Sequence, residues 1–326
     1  VLAERTHDEV FADSVRAQLE IIESELLRAA EASTPMVTEA AQHIIASGGK
    51  RFRPSLVVLA SHLGPEADPA EVVRSAVVVE LTHVASLYHD DVMDDARLRR
   101  GAPSANVRWT NSIAILVGDF LFARASDIVS ELGNEFVQLQ ARTFARLVQG
   151  QIAETVGPSD GEDPLAHYLK VVADKTGSLI ATSAVFGAKV SGAEESVQQA
   201  MAEFGEEIGM IFQLSDDIID ITSDVTGKTP GTDLREGVPT LPILLARQST
   251  DPADARLLEL LDSDLSDDAA LAEVLTLLRA HKCIEQARAE VTRRADLARA
   301  TLRSVPAGPA RSALEELCDT VVTRSS

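Results

Sequence analysis

Cysteine is scarce: the 326-residue chain has two, Cys283 and Cys318, with no CxxC spacing. Neither a disulfide framework nor a zinc site is indicated, and a reducing cytoplasm fits. Aromatic residues make up only 4%, which agrees with a helical core built from alanine and leucine. Positive charge is also short, with 30 Lys and Arg against 51 Asp and Glu and a net charge of -21. A nucleic-acid or anionic-membrane surface needs a basic face, so no nucleic-acid partner is expected. The opening Val1-Leu2-Ala3-Glu4-Arg5 has no signal-like apolar core, and apolar stretches such as residues 75–79 are too short to span a bilayer. A cytoplasmic protein with no integral membrane segment is expected.

With 45% hydrophobic residues the chain can bury a sizeable core. Between residues 10 and 46 apolar side chains recur every three or four positions (Val15, Leu19, Ile22, Leu26), the period of an amphipathic helix, and the same period returns almost everywhere. Glycine and proline cluster at Gly48-Gly49, Gly64-Pro65 and Gly101 to Pro103. They cluster again within residues 157–164, 187–192, 227–242 and 306–309, and each cluster is read as a connection. These features predict an all-α protein of about ten or more helices without a substantial sheet. No linker divides the chain, so a single domain, 1–326, is expected.

Two acidic clusters carry the chemistry: Asp90-Asp91-Val92-Met93-Asp94 and Asp216-Asp217-Ile218-Ile219-Asp220. Residues four apart on a helix stack on one face, so Asp90 lies over Asp94 with Asp91 flanking, and Asp216, Asp217 and Asp220 repeat the geometry. Carboxylates about 6 Å apart repel by roughly 3 kcal/mol per pair at an effective dielectric of 20, so such a cluster calls for a cation or protons. Magnesium takes one or two carboxylates together with phosphate oxygens and water, which makes these clusters docks for diphosphates. No glycine and distal glutamate are placed as a calcium loop requires. A solvated acidic face would not be preceded by apolar runs, yet residues 85–88 and 208–214 are largely apolar. Anion binding by an acidic chain demands local cations. Gly48-Gly49-Lys50-Arg51-Phe52-Arg53-Pro54 supplies three, and Arg97, Arg99 and Arg100 follow the first aspartates.

In this order the motifs resemble the trans-prenyl (polyprenyl) diphosphate synthases over nearly the whole chain. The GGKRxRP segment at 48–54 comes first, then His83, the first DDxxD and Arg99-Arg100-Gly101. Lys175-Thr176, Phe212-Gln213 with the second DDxxD, Gly227-Lys228 and Asp233-Leu234-Arg235-Glu236-Gly237 complete the series. The resemblance implies an antiparallel helical bundle of the isoprenoid synthase type around a deep central cavity, usually a homodimer. It implies that Lys50, Arg53, His83 and Arg100 hold isopentenyl diphosphate. The allylic diphosphate would be held by the six aspartates through magnesium, three ions being expected, helped by Arg99, Lys175, Thr176, Gln213 and Lys228. Asp95 and Asp224 would support the clusters from behind.

The implied reaction is a 1'-4 condensation, in which magnesium with Arg99, Lys175 and Lys228 stabilises the departing diphosphate. Residues four and five before Asp90 lie about one turn deeper on the helix, and here they are Ser86 and Ala85, neither of them bulky. A medium or long product, about C30–C50, is therefore expected by family analogy. Phe136 or Phe144 is a candidate floor, and Tyr88 should point to a different face. A short-chain synthase and a non-catalytic subunit of a heteromeric synthase are the alternatives. A class I terpene cyclase is disfavoured, because residues 217–224 do not form its second metal motif.

Overall fold

The computed structural model describes residues 7–222 and 230–323. They are helical nearly throughout. In order come α1 (His7–Ala29), α2 (Pro35–Ala46), α3 (Phe52–Ala60) and α4 (Pro69–Met93), then a two-residue hairpin, β1 (Leu98–Arg99) and β2 (Ala102–Pro103). Next are α5 (Ala105–Arg108), α6 (Asn111–Ser130), α7 (Asn134–Val156), α8 (Pro164–Val172), a π-helical turn (Ala173–Gly177), α9 (Ser178–Val190) and α10 (Glu195–Thr222). The chain closes with α11 (Thr232–Arg235), α12 (Leu241–Arg247), α13 (Ala255–Leu261), α14 (Asp268–Ala280), α15 (Cys283–Thr301) and α16 (Pro309–Thr323). Among the described residues the hairpin is the only sheet, and no helix is long and apolar enough to cross a membrane.

Two compact units are distinguished. The first comprises the described part of Val1–Ala145 with Leu179–Ala202 and Ser304–Leu314. The second comprises Arg146–Ser178 with the described parts of Glu203–Arg303 and Glu315–Ser326.

In the first unit α4 is the central element. Asp68 caps it by accepting from Ala70 N at 2.8 Å, Pro69 starts it, and 25 residues give a rod about 37 Å long. Most of the stretch from Val72 to Asp91 is buried. α2 is pinned to α4 by Tyr88, which is fully buried: its hydroxyl donates to Ala40 O and accepts from Ile44 N at 3.3 Å. As expected, Tyr88 turns away from the aspartates' face, onto α2. α6 crosses α4 closely because position 118 has no side chain; a Cβ there would stand 2.3 Å from His89 Nε2 and 3.1 Å from Ala85 O.

Gly187 corrects the expectation of a connection across residues 187–192. It lies inside α9, and the chain turns only after Val190. Its missing side chain serves close packing, since a Cβ would stand 2.2 Å from Val57 O and 2.8 Å from Ala60 Cβ of α3.

The second unit is cross-linked by ion pairs between helices. Arg146 of α7 joins Asp174 in the π turn (2.5 Å) to Glu206 of α10 (2.7 Å), and Arg294 of α15 reaches Glu207 at 3.0 Å. Gly150 lets α7 lie against the π turn, where a Cβ would stand 2.6 Å from Lys175 N. Cys283 and Cys318 are fully buried thiols.

The Val57 carbonyl beside Gly187 is backbone and cannot swing aside. Gly187→Ala is expected to destabilise the fold by about 2–3 kcal/mol in equilibrium unfolding. An unchanged denaturation midpoint would contradict the close approach of α3 and α9.

Candidate active site

The turn after α2 builds the basic half of the first unit's site. Gly48 (φ 83°) and Arg51 (φ 46°) both take left-handed backbone. Arg51 points inward: Nε and Nη2 donate to the two Glu23 oxygens at 2.5 and 2.6 Å, and Nη1 donates to Glu80 Oε1 at 3.2 Å. Glu80 is only 2% exposed. Arg51 is therefore neutralised and acts as a strut, while Lys50 is exposed and makes no ion pair among the described residues.

Arg53 is the uncompensated cation. Its Nε is buried without a hydrogen-bond partner. Burial pulls its pKa down to about 10, against the attraction of Glu80 and with repulsion from Arg100. His83 is surrounded the same way: burial, then the charges of Arg53, Arg100, Arg99 and Arg51, hold its pKa well below the usual histidine range. It is neutral at pH 7 and offers a hydrogen bond rather than a charge.

Arg99 and Arg100 reach the site from the hairpin, whose turn places Arg100 (φ 53°) and Gly101 (φ 79°) in the left-handed region. That pair of positive φ values belongs to the two-residue turns whose twist matches paired strands. Neighbours in a strand point opposite ways, and the two arginines part accordingly. Arg99 donates Nε and Nη2 to Asp91 Oδ1 at 2.7 and 2.6 Å. Arg100 Nη1 donates to Ile44 O at 3.0 Å and to Gly48 O. Gly49 leaves room for that guanidinium, since a Cβ would stand 2.9 Å from Arg100 Cζ.

α4 ends at Met93, so Asp94 is its C-cap, with its N–H on Asp90 O at 2.8 Å. Asp90 and Asp91 lie in the last helical turn, and Asp95 (φ 48°) takes the chain away. Asp90 is half-buried and Asp94 exposed, whereas Asp91 is wholly buried. The second oxygen of Asp91, Oδ2, is buried without a hydrogen-bond partner. Below the aspartates Ala85 is buried and Ser86 half-buried, with its hydroxyl on His83 O at 2.8 Å. Phe136 packs edge-on against Phe186 (5.1 Å), and Phe144 lies against Phe122 (4.1 Å).

In the second unit Asp216, Asp217 and Asp220 occupy the last two turns of α10. Asp217 repeats the role of Asp91 as the buried member, at 1% exposure. It accepts from the Tyr168 hydroxyl, from Leu241 N at 3.1 Å and from Gln213 Nε2 at 3.1 Å. Burial still pushes its pKa up to about 6, with repulsion from Asp216 added and the three donors opposing. Asp220 Oδ2 accepts from Asp233 N at 3.3 Å. Lys175 projects from the π turn and pairs with Glu154 of α7. Thr176 follows it, half-buried. Lys228 and Asp224 lie outside the described residues.

Among the described residues no three His, Cys, Asp or Glu side chains are grouped so as to hold a metal by themselves. Such open carboxylate groups fit magnesium, which keeps water and phosphate oxygens in its shell. The unpartnered Asp91 Oδ2 is the oxygen donor that such a hard cation would satisfy.

Sequence reasoning missed Glu23 and Glu80, the counter-ions of the basic turn, and Tyr168, the phenol on Asp217. Glu80 sits three residues before His83 and so shares its helix face; that spacing was the available signal. Nothing local marks Tyr168, 49 residues before its partner.

The polyprenyl synthetase family model matches residues 34–278. The chain is 46% identical over 323 residues to the nonaprenyl diphosphate synthase of Mycobacterium tuberculosis, covering 97% of this chain and 95% of that protein. It is 38% identical to heptaprenyl diphosphate synthase component 2 of Geobacillus stearothermophilus over 302 residues, 92% of this chain and 93% of the relative. Its structure superposes on the geranylgeranyl pyrophosphate synthase of Corynebacterium glutamicum, solved with calcium and isoprenyl diphosphate, with a TM-score of 0.89, 42% identity and 99% of both chains covered. The all-α expectation and the resemblance are borne out, and the chain belongs to the polyprenyl synthetase family of trans-isoprenyl diphosphate synthases, which are prenyltransferases.

Proposed function

We propose that this chain, as one polyprenyl synthase domain, is a magnesium-dependent enzyme that condenses isopentenyl diphosphate head to tail with an allylic prenyl diphosphate. The product is an all-trans polyprenyl diphosphate of about C30–C50. Two orphaned atoms in one unit support this most directly. Arg53 Nε wants an anion and Asp91 Oδ2 wants a cation, and a diphosphate carrying a divalent metal supplies both. The longer product is supported by the small Ala85 and Ser86 and by the nonaprenyl and heptaprenyl relatives. The geranylgeranyl synthase from Corynebacterium favours a C20 product as the second possibility. A cytoplasmic homodimer is part of the same proposal. Ile115 and Leu116, 43% and 61% exposed on α6, suit a covered face, and two buried thiols suit a reducing compartment.

In this assignment Lys50, Arg53, His83 and Arg100 bind the isopentenyl diphosphate. Neutral His83 adds a donor without adding repulsion among the arginines. Asp90, Asp91 and Asp94 of the first unit and Asp216, Asp217 and Asp220 of the second would hold the magnesium ions, with Asp91 and Asp217 as the anchored member of each cluster. Three magnesium ions, when bound, neutralise charge on the departing diphosphate. Arg99, Lys175, Thr176, Gln213 and Lys228 orient the allylic diphosphate and hold its charge in place. The final proton can be accepted by the released diphosphate. Apolar neighbours of both motifs keep water from the allylic cation.

Purified protein given isopentenyl diphosphate and farnesyl diphosphate is expected to form chains of about C30–C50, abolished by EDTA and by Asp90→Ala, with Ser86→Phe shortening them to about C15–C20. Wild-type products ending at C20 would leave the reaction standing and remove the length assignment. No elongation at all would point to a subunit that needs a partner.

His83 gives a second expectation. Its folded pKa lies below the unfolded value of about 6.5, so the unfolded chain takes up the proton first as pH falls. Stability present above that pH is then lost on acidification. Between pH 7 and 5.5 the wild-type melting temperature should fall more steeply than that of His83→Gln. Equal slopes would show that His83 is not charge-crowded. Asp217, whose pKa is raised, contributes the opposite slope in both proteins and cancels in the comparison.

A further inference from the structure

A hairpin with two residues per strand cannot hold its own position. Part of what fixes this one passes through the arginines assigned to ligand binding. Arg99 is tied to Asp91, and Arg100 to Ile44 O and Gly48 O. A diphosphate that draws on those guanidiniums shares their donors with these bonds. Ligand-independent contacts hold its base, where Ala96 N donates to Asp91 O and Ser104 N to Arg97 O, both at 3.0 Å, and the Ser104 hydroxyl lies on Ala96 O; beyond the base there is a bond from α2 to the second strand.

That last bond is made by His43, whose Nε2 lies 2.7 Å from Pro103 O. Its other nitrogen, Nδ1, lies 2.9 Å from Arg108 Nη1. A guanidinium can only donate, so Nδ1 accepts, the ring proton is on Nε2, and Nε2 donates to the carbonyl. Both roles require one neutral tautomer. The partners around the ring enforce it. Glu39, one turn earlier on α2, holds the far side of Arg108. Trp109 packs edge-on against the imidazole, with centroids 5.2 Å apart at 84°, and Arg108 Cζ lies 4.6 Å over the indole. The residue after His43, Ile44, presents the carbonyl that receives Arg100. One turn of α2 thus grips the hairpin twice, once through backbone and once through the imidazole, and α2 is itself pinned by Tyr88.

We infer that His43, its tautomer set by Arg108, is a positioning residue for the Arg99-Arg100 arm and hence for recognition of the isopentenyl diphosphate. The inference rests on the assignment of Arg100 to that substrate. Its loss leaves the arginines present but their backbone untethered, so binding weakens while the chemical step, once substrate is bound, proceeds.

The test is steady-state kinetics at saturating allylic substrate, with melting temperatures, for Arg100→Ala, His43→Ala, His43→Gln and Arg108→Leu. His43→Ala is expected to raise KM for isopentenyl diphosphate about fivefold, the value of one hydrogen bond, with kcat within about twofold and an unchanged melting temperature. His43→Gln, which keeps a donor for Pro103 O, should recover most of it. Arg108→Leu should raise KM by a smaller factor and abolish the single Nε2–H signature of His43 in nitrogen-15 NMR. The inference is overturned if Arg100→Ala raises KM while His43→Ala and Arg108→Leu do not. It is also overturned if kcat, KM and melting temperature fall out of line together and glutamine rescues none of them. If Arg100→Ala leaves KM unchanged, the substrate assignment fails, and the inference built on it fails with it.

Discussion

The ion triad of Glu23, Arg51 and Glu80 is the contact on which the first unit's chemistry depends. Arg51, Arg53, Arg99, Arg100 and His83 crowd one region, and like charges brought out of water repel. Two carboxylates lie among them, one almost wholly buried. Removing one partner of a buried pair such as Arg51 and Glu80 typically costs about 3–5 kcal/mol, because the remaining charge loses its counter-ion. The triad spends Arg51 on structure and, through Glu80, leaves Arg53 and Arg100 tolerable but undersatisfied. An anion is then welcomed without having to displace a strong ion pair.

The acidic clusters follow a matching division. In each, the second aspartate is buried and fixed, Asp91 by Arg99 and Asp217 by Tyr168, Leu241 N and Gln213. The flanking aspartates remain nearer the surface of their helices. A rigid carboxylate beside less buried ones reduces the ordering needed when a metal arrives. The two clusters reach this state with different chemistry: a cation pairs with Asp91, whereas a phenol and two amide groups only hydrogen-bond Asp217, whose pKa burial leaves raised.

The acidic motifs were legible because charge stands out inside an apolar run, and glycine and proline marked connections such as Gly64-Pro65 and residues 157–164. Gly187 was misjudged because glycine serves turns and close helix contacts alike, and only its neighbour Val57 distinguishes the two uses. The counter-ions of Arg51 were hidden by distance along the chain, lying 28 and 29 residues away on either side. Neutral His83 was hidden for another reason: its proton is decided by burial and then by arginines gathered from two segments, which no local pattern reports.

The hairpin between Leu98 and Pro103 assigns neighbouring arginines to opposite duties, Arg99 to the aspartates and Arg100 to the turn after α2. Strand alternation makes that assignment, so it is encoded in the count of residues more than in their identity. Inserting or deleting one residue here would swap which arginine faces the aspartates and which the turn after α2, even with every side chain retained. Length variation in this short segment is therefore a harsher change than most substitutions within it.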